Sequence, residues 1–362
     1  MSWFVSFNNL GVKLRAAVLY GYRSAGQSRW KFRLNQRRPL AYGSNALVAL
    51  IKSSKLPSMK TGLSRPILRL ARATPALTKA TLRLSAKVMS HRTPPWLLCQ
   101  MAADLNYRTA VDTRLGNGMK IRVVWTDVIG YSIAVDGYYD LPTVRVIQEL
   151  LKPGMTFVDV GAHVGQFSLL GSGLVGMEGT VHSFEPEPQT FEFLQHNVVI
   201  NGLRNVHPIR CALGESSKSV QLYVARPDNL GQTSLRQPNN FSGVQVKVQC
   251  RTLDDYAEEH GIDRINLLKI DVEGAELDVL LGARGVLSRN PKPHILIEFW
   301  EEFQQAYGAS CAQLEEFLRG CGYSLSRIAE TRLMPYISGK NEELFNVLAT
   351  PLALSSVACK TS

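Results

Sequence analysis

The chain has 362 residues and a formal charge of +11, long enough for one large domain with an appendage. The charge is segregated: residues 1–100 hold 18 Lys and Arg and no acid, while residues 101–362 hold 23 against 30 acids and carry −7. Overall basicity is therefore no argument that the main body binds nucleic acid, and no apolar run approaches the roughly 18 residues that span a bilayer.

In chain order, residues 1–100 form a basic, acid-free extension, expected to be helical, disordered or upstream of the true start. Within it Arg65, Arg69, Arg72, Lys79, Arg83 and Lys87 fall inside an arc of about 80° on a helix, with Ile67, Leu70, Leu77, Leu84 and Val88 opposite. Residues 65–88 thus predict an amphipathic helix able to lie on an anionic membrane. An organelle transit peptide, if the source is eukaryotic, and a solvated extension are the alternatives. Residues 101–152 read as a strand and helix capping the main domain, with a strand at Lys120–Trp125 and a helix closed near Pro153–Gly154.

The main domain is expected over 153–352, with a tail at 353–362. Strands are predicted at Thr156–Val160, Thr180–Phe184, Val206–Leu213, Ile265–Ile270, His294–Phe299, Tyr323–Ile328 and Leu344–Ala349. Helices are predicted at Pro188–Asn201, Glu273–Leu281 and Ala312–Arg319. This alternation argues for an α/β fold on a mostly parallel sheet. Two alternating segments, 219–225 and 243–250, predict an inserted antiparallel hairpin against that sheet, joined by a long polar connection that is either functional or mobile. The six cysteines form no CxxC pair, so no zinc site or disulfide framework is indicated. Reduced thiols and a cytoplasmic setting are expected.

The stretch "FVDVGAHVGQFS", 157–168, joins a buried strand to a helix start through two glycines. A dinucleotide turn would read G-x-G-x-x-G, but His163 occupies the second glycine's place and the pattern is D-x-G-x-x-x-G. That more open turn suits a cofactor with an amino-acid tail, such as S-adenosyl-L-methionine. Asp159 can accept from an ammonium, and helix-start amides can receive a carboxylate. Glu185 ends the next strand, where an acid accepts from both ribose hydroxyls, and Pro186 stops that strand.

From about 119 to 350 the chain resembles the FkbM family of S-adenosylmethionine-dependent methyltransferases. The resemblance is carried by "LLKPGMTFVDVGAHVGQFSLL", "GTVHSFEPEP", "HNVVINGLRNV", "CALGE", "VQCRTLDDY", "LLKIDVEGAELDVLLGA" and "ILIEFW". It implies a class I methyltransferase fold, a Rossmann-like seven-stranded sheet with helices on both faces and the last strand antiparallel. It also implies methyl transfer to a hydroxyl, commonly of a sugar or secondary metabolite. His163 stands where that family more often has Asn.

Carried onto this chain, Asp159, Gly161, Gly165 and Ser168 hold the methionine part and the turn. His163 and Pro186 belong to the same cofactor site, Glu185 binds the ribose, and Cys211 and Ala212 border the adenine. Asp271, also a cofactor neighbour, is the first candidate for general base, followed by Glu273 and Glu298. Lys269 is expected to pair with Asp271, and Asn197 and Asn201 to be structural. No resident metal is expected, with Mg²⁺ on the rim acids as the alternative. The partner is a small-molecule or glycan hydroxyl, and nucleic acid is disfavoured because "DVEGAE" replaces an Asn/Asp-Pro-Pro-aromatic word. Two rival classes are an NAD-dependent oxidoreductase and a membrane-surface binding protein with a degenerate methyltransferase body.

Overall fold

The computed structural model describes residues 2–4, 18–22, 31–35, 110–124, 127–226, 229–237, 241–339 and 344–352. The proposed basic helix at 65–88 lies outside them. Two compact units are delimited, 1–43 and 44–362. In the first, β1 (Ser2–Phe4), β2 (Val18–Tyr22) and β3 (Lys31–Asn35) form an antiparallel sheet. Strands here depart from the expected helical or disordered extension. "KFRLN" alternates polar and apolar residues, and that period fits a strand.

In the second unit, β4 (Ala110–Arg114) and β5 (Lys120–Val124) form a hairpin, followed by α1 (Val128–Asp136) and α2 (Leu141–Leu150). Asn197 and Asn201 prove structural. Asn197 Oδ1 accepts from Arg122 N at 2.6 Å while its Nδ2 donates to the carbonyls of Arg122 and Val164. Asn201 clasps Lys120 N and O in the same way.

The main sheet then builds through β6 (Thr156–Val160), α3 (Gln166–Val175), β7 (Thr180–Phe184), α4 (Pro188–Ile200) and β8 (Val206–Ile209). After an insertion come α5 (Leu253–Glu259), β12 (Leu267–Ile270), α6 (Glu276–Leu281), α7 (Arg284–Ser288) and β13 (His294–Phe299). The chain closes with α8 (Glu301–Ala306), α9 (Cys311–Gly320), β14 (Tyr323–Ile328), β15 (Leu333–Pro335) and β16 (Phe345–Pro351).

The strand order is β15-β14-β16-β13-β12-β6-β7-β8. From β13 to β8 neighbours run parallel, while β16 runs antiparallel between β13 and β14. This is the expected seven-stranded class I methyltransferase sheet, with β15 added as an exposed eighth edge strand. Its central strands are mostly apolar because both faces are covered, with Asp159, Lys269 and Glu298 as buried exceptions. Val158, Leu268 and Ile295 face one core with Leu253, Val279 and Leu314, and Phe157, Leu267 and Leu296 face another with Ile147, Leu169 and Leu194.

Three expectations are corrected. The predicted strand Val206–Leu213 is two strands in two sheets: β8 ends at Ile209, opposite Phe184, and β9 (Ala212–Leu213) pairs instead with β11 (Phe241–Arg251). Pro208 cannot donate, which an edge strand such as β8 tolerates, and the chain leaves the main sheet directly after it. The hairpin of β10 (Lys218–Ala225) and β11 is antiparallel as expected, but it joins β9 in a sheet of its own. The helix predicted from Glu273 begins at Glu276, because 271–275 form a turn with Glu273 at φ 55° and Gly274 at φ 109°.

Candidate active site

The carboxyl ends of β6, β7 and β12 open into a cleft of about 800 Å³ counted out to solvent. Of the residues assigned to the cofactor, Gly161, His163, Glu185, Pro186, Cys211, Ala212 and Asp271 line it, as do Asp271 and Glu273 of the proposed rim. Asp159, Gly165, Ser168 and Glu298 do not; the first three sit behind the turn and shape it.

Register explains the polar centre. Lys269 lies directly opposite Asp159 on adjacent strands, and Asp271 follows two residues later. The buried Lys269 ammonium stands 3.6 Å from Asp159 Oδ1 and 3.4 Å from Asp271 Oδ2, and 5.0 Å over the Phe167 ring. Burial works against its charge, but Asp271 and Asp159 outweigh that and hold its pKa above the ordinary lysine range. The expected Lys269–Asp271 pair is therefore present, extended to Asp159. Ser168 Oγ donates to Asp159 Oδ2 at 2.6 Å, tying the start of α3 to β6.

Gly161 is required at its position. Its φ is +75°, and a Cβ would stand 1.9 Å from the Asp271 carbonyl oxygen, so only glycine lets the β6 turn abut the end of β12. Its N–H and that of Ala162 donate to Phe184 O. His163 also has positive φ, 52°. Asn, Asp and His are the non-glycine side chains enriched in that left-handed region, so His163 suits the turn.

Glu185, at the carboxyl end of β7, accepts from His163 N at 3.0 Å and Glu187 N at 2.8 Å. Burial pushes its pKa up to about 8. Glu276 is likewise pushed up to about 8, by burial and then by Glu298. Its carboxylate accepts from Val272 N, Gly274 N and Gln304 Nε2, and so fixes the 271–275 turn.

Both acids are favoured neutral in the fold, so the stability they contribute is complete below the ordinary carboxylate pKa and lost as pH rises through about 8. The melting temperature is expected to fall across pH 5–9 and to do so less steeply in Glu276→Gln. Equal slopes in thermal melts would remove Glu276 as a cause.

Sequence reasoning missed four fastenings. Glu187 caps α4, its Oε2 accepting from Thr190 N and Oγ1 at 2.6 Å. Gln166 clasps the Tyr139 backbone in both directions, at 2.6 and 2.9 Å, which sets Tyr139 on the cleft wall. Asp127 Oδ2 caps α1 at Gly130 N, and its Oδ1 accepts from Leu230 N at 2.8 Å. Ser234 Oγ lies 2.6 Å from Tyr307 Oη and donates to Glu273 O. The last two pin the long polar connection of the hairpin, whose Leu230, Gly231, Thr233, Ser234 and Leu235 form one wall of the cleft. The described residues of that connection are thus pinned into the cleft wall. Only the "EPEP" and "GAE" words, acids placed beside helix starts, carried a local signal for Glu187 and Glu276.

Asp271, Glu273 and Glu298 bring carboxylate oxygens within 4.8 Å of one another. Such a group can serve as a proton acceptor or hold a divalent cation.

These features fit S-adenosyl-L-methionine. Glu185 offers carboxylate oxygens for a diol. Val160, Phe184, Leu213 and Leu222 make an apolar wall for a base, and α3 begins at Gly165 with no side-chain cap, leaving its first amides for a carboxylate.

Among known proteins, a model of the methyltransferase FkbM domain matches residues 159–325. The methyltransferase sdnD of Sordaria araneosa is 30% identical over 201 residues, covering 47% of this chain and 74% of that protein. The chain belongs to the FkbM methyltransferase family. Methyltransferase 1 of Beauveria bassiana is 32% identical over 142 residues, covering 34% of this chain and 57% of that protein. The 31-O-demethyl-FK506 methyltransferase FkbM of Streptomyces tacrolimicus is 31% identical over 162 residues, covering 36% and 60%. The FkbM match starts at Asp159 and ends at Leu325, so it takes in the glycine turn, Glu185 and all three rim acids. No helix among the described residues is long and apolar enough to cross a membrane.

If Glu185 holds the ribose, Glu185→Ala should weaken S-adenosyl-L-methionine binding about ten- to a hundredfold, since two hydrogen bonds to the ribose hydroxyls, each contributing about 0.5–1.5 kcal/mol, are lost. Unchanged affinity by calorimetry would remove Glu185 from the cofactor site.

Proposed function

We propose that this protein is an S-adenosyl-L-methionine-dependent O-methyltransferase acting on a hydroxyl of a sugar, glycan or secondary metabolite. The observation that carries this reading is the cleft itself. It is lined by a buried acid, Glu185, at the end of β7, by Asp271 and Glu273 after β12 on the other side of β6, and by the apolar Val160, Phe184, Leu213 and Leu222. Two further relatives support the reading by name: a 2-O-methyltransferase for an oxygen acceptor, and a hexuronic acid methyltransferase for a sugar derivative.

When bound, the cofactor supplies an activated methyl group. The protein aligns the acceptor oxygen with it, which can lower the barrier by roughly 7–11 kcal/mol. A placed carboxylate that takes the hydroxyl proton adds about 10²–10⁴-fold.

The test is transfer from methyl-labelled S-adenosyl-L-methionine to a panel of hydroxylated glycosides and metabolites. Label is expected in an alkali-stable product, as an ether is. Label that alkali removes would mark a carboxyl acceptor and an ester, against this reading.

A further inference from the structure

We infer that Gly231, with Ile129 opposite it, sets which acceptors the cleft admits, selecting by bulk beside the reacting hydroxyl; this rests on the methyltransferase reading above. Strand order divides the cleft. Gly161 and Glu185, assigned to the cofactor, follow β6 and β7, whereas Gly231 stands toward the end of β12, where a Cβ on it would come 3.6 Å from Glu273 Oε1. That is the side left for the acceptor.

Among the described residues two glycines line the cleft, and they are glycine for different reasons. Gly161 has a backbone reason, its φ of +75°. Gly231 has none, because it lies in the 3₁₀ turn Leu230–Gln232 without a positive φ, a backbone that any L side chain adopts. What glycine supplies there is space. A Cβ would meet Ile129 Cδ1 at 2.9 Å, and Ile129 itself lines the cleft.

One buried carboxylate sets this contact from both sides. Asp127 Oδ2 accepts from Gly130 N at 3.1 Å and its Oδ1 from Leu230 N at 2.8 Å, which fixes the chain neighbours of Ile129 and of Gly231. The wall around the gap is largely carbon, with Leu230 and Leu235 beside Gly231. Its two hydroxyls are engaged within the protein: Thr233 Oγ1 accepts from Ala225 N at 3.1 Å, and Ser234 Oγ is bonded to Tyr307 Oη and Glu273 O. A carbon wall discriminates by shape, and one methyl group more or less against it changes kcat/KM by about 10–200-fold.

The experiment has two arms on the full chain. In the first, Gly231→Ala is melted and titrated with S-adenosyl-L-methionine without acceptor. The added methyl displaces only the far end of the Ile129 side chain, and alanine restricts the unfolded chain. The melting temperature should therefore stay within about 2 °C of wild type, and cofactor affinity within a few fold. A larger fall, or lost cofactor binding, would make Gly231 a packing or cofactor residue and overturn the inference.

In the second arm, label transfer is measured on the panel and on analogues bearing one more methyl group on the carbon beside the reacting hydroxyl. Gly231→Ala should lower kcat/KM for the methylated analogue about 10–200-fold more than for its parent, and Ile129→Ala should shift that ratio toward the analogue. A ratio that stays at the wild-type value in either variant would overturn the inference and leave the methyltransferase reading standing. A wild type that binds no S-adenosyl-L-methionine, or labels no acceptor of the panel, would fail that reading and the inference with it.

Discussion

Gly161→Ala is expected to lower the melting temperature by roughly 5–15 °C and to abolish cofactor binding. A Cβ at this position would stand 1.9 Å from the Asp271 carbonyl oxygen, and the φ of +75° is one that L side chains resist. The left-handed term contributes about 1–2 kcal/mol, and forcing the ends of two central strands apart adds a further 1–3 kcal/mol or so. Because Asp271 N also donates to Val160 O, separation there moves the turn and the rim acid together. Thermal melts and calorimetry on one preparation check both halves. An alanine variant that melts normally and binds normally would show that the β6 turn and the β12 end are not in contact.

The second large effect is at Lys269. Lys269→Ala leaves Asp159 buried at 0% exposure beside Ser168 without its cation, and breaking such a pair from one side costs about 3–5 kcal/mol. The melting temperature should fall by roughly 10 °C. Adding Asp159→Asn should recover much of that, because the orphaned charge is removed with its partner. A double variant no more stable than Lys269→Ala alone would mean that the loss does not come from the Asp159 charge but from other contacts of the lysine, such as that of its ammonium with the Phe167 ring.

How much of this was legible in the sequence follows from the range of the interactions. The β6 strand, the glycine turn and Glu185 are local patterns: an apolar run, two glycines and an acid before a proline. They stand where the spacing put them. So does Lys269 beside Asp271, two residues apart on one face of a strand. Val206–Leu213 was misread because an apolar run does not say which sheet it pairs with. Only the register with β11, set by residues about 40 positions later, takes Ala212 and Leu213 away. The start of α6 was missed because the turn before it depends on Glu276 capturing backbone amides, an interaction invisible to helix periodicity. Asp127 and Leu230 are 103 residues apart and Tyr139 and Gln166 are 27 apart, so neither clasp leaves a pattern in either neighbourhood. The different settings of Asp271 and Glu273 in "DVEGAE", an ion pair for one and a positive φ for the other, also needed coordinates.

The account rests on the cleft at the carboxyl ends of β6, β7 and β12 being a site for S-adenosyl-L-methionine. Titration calorimetry of the full chain with S-adenosyl-L-methionine and, separately, with NADH tests this most directly. One equivalent of S-adenosyl-L-methionine should bind, more weakly in Glu185→Ala, and NADH should give no binding heat. Binding of NADH with none of S-adenosyl-L-methionine would contradict the assignment of the turn, of Glu185 and of the chemistry built on them.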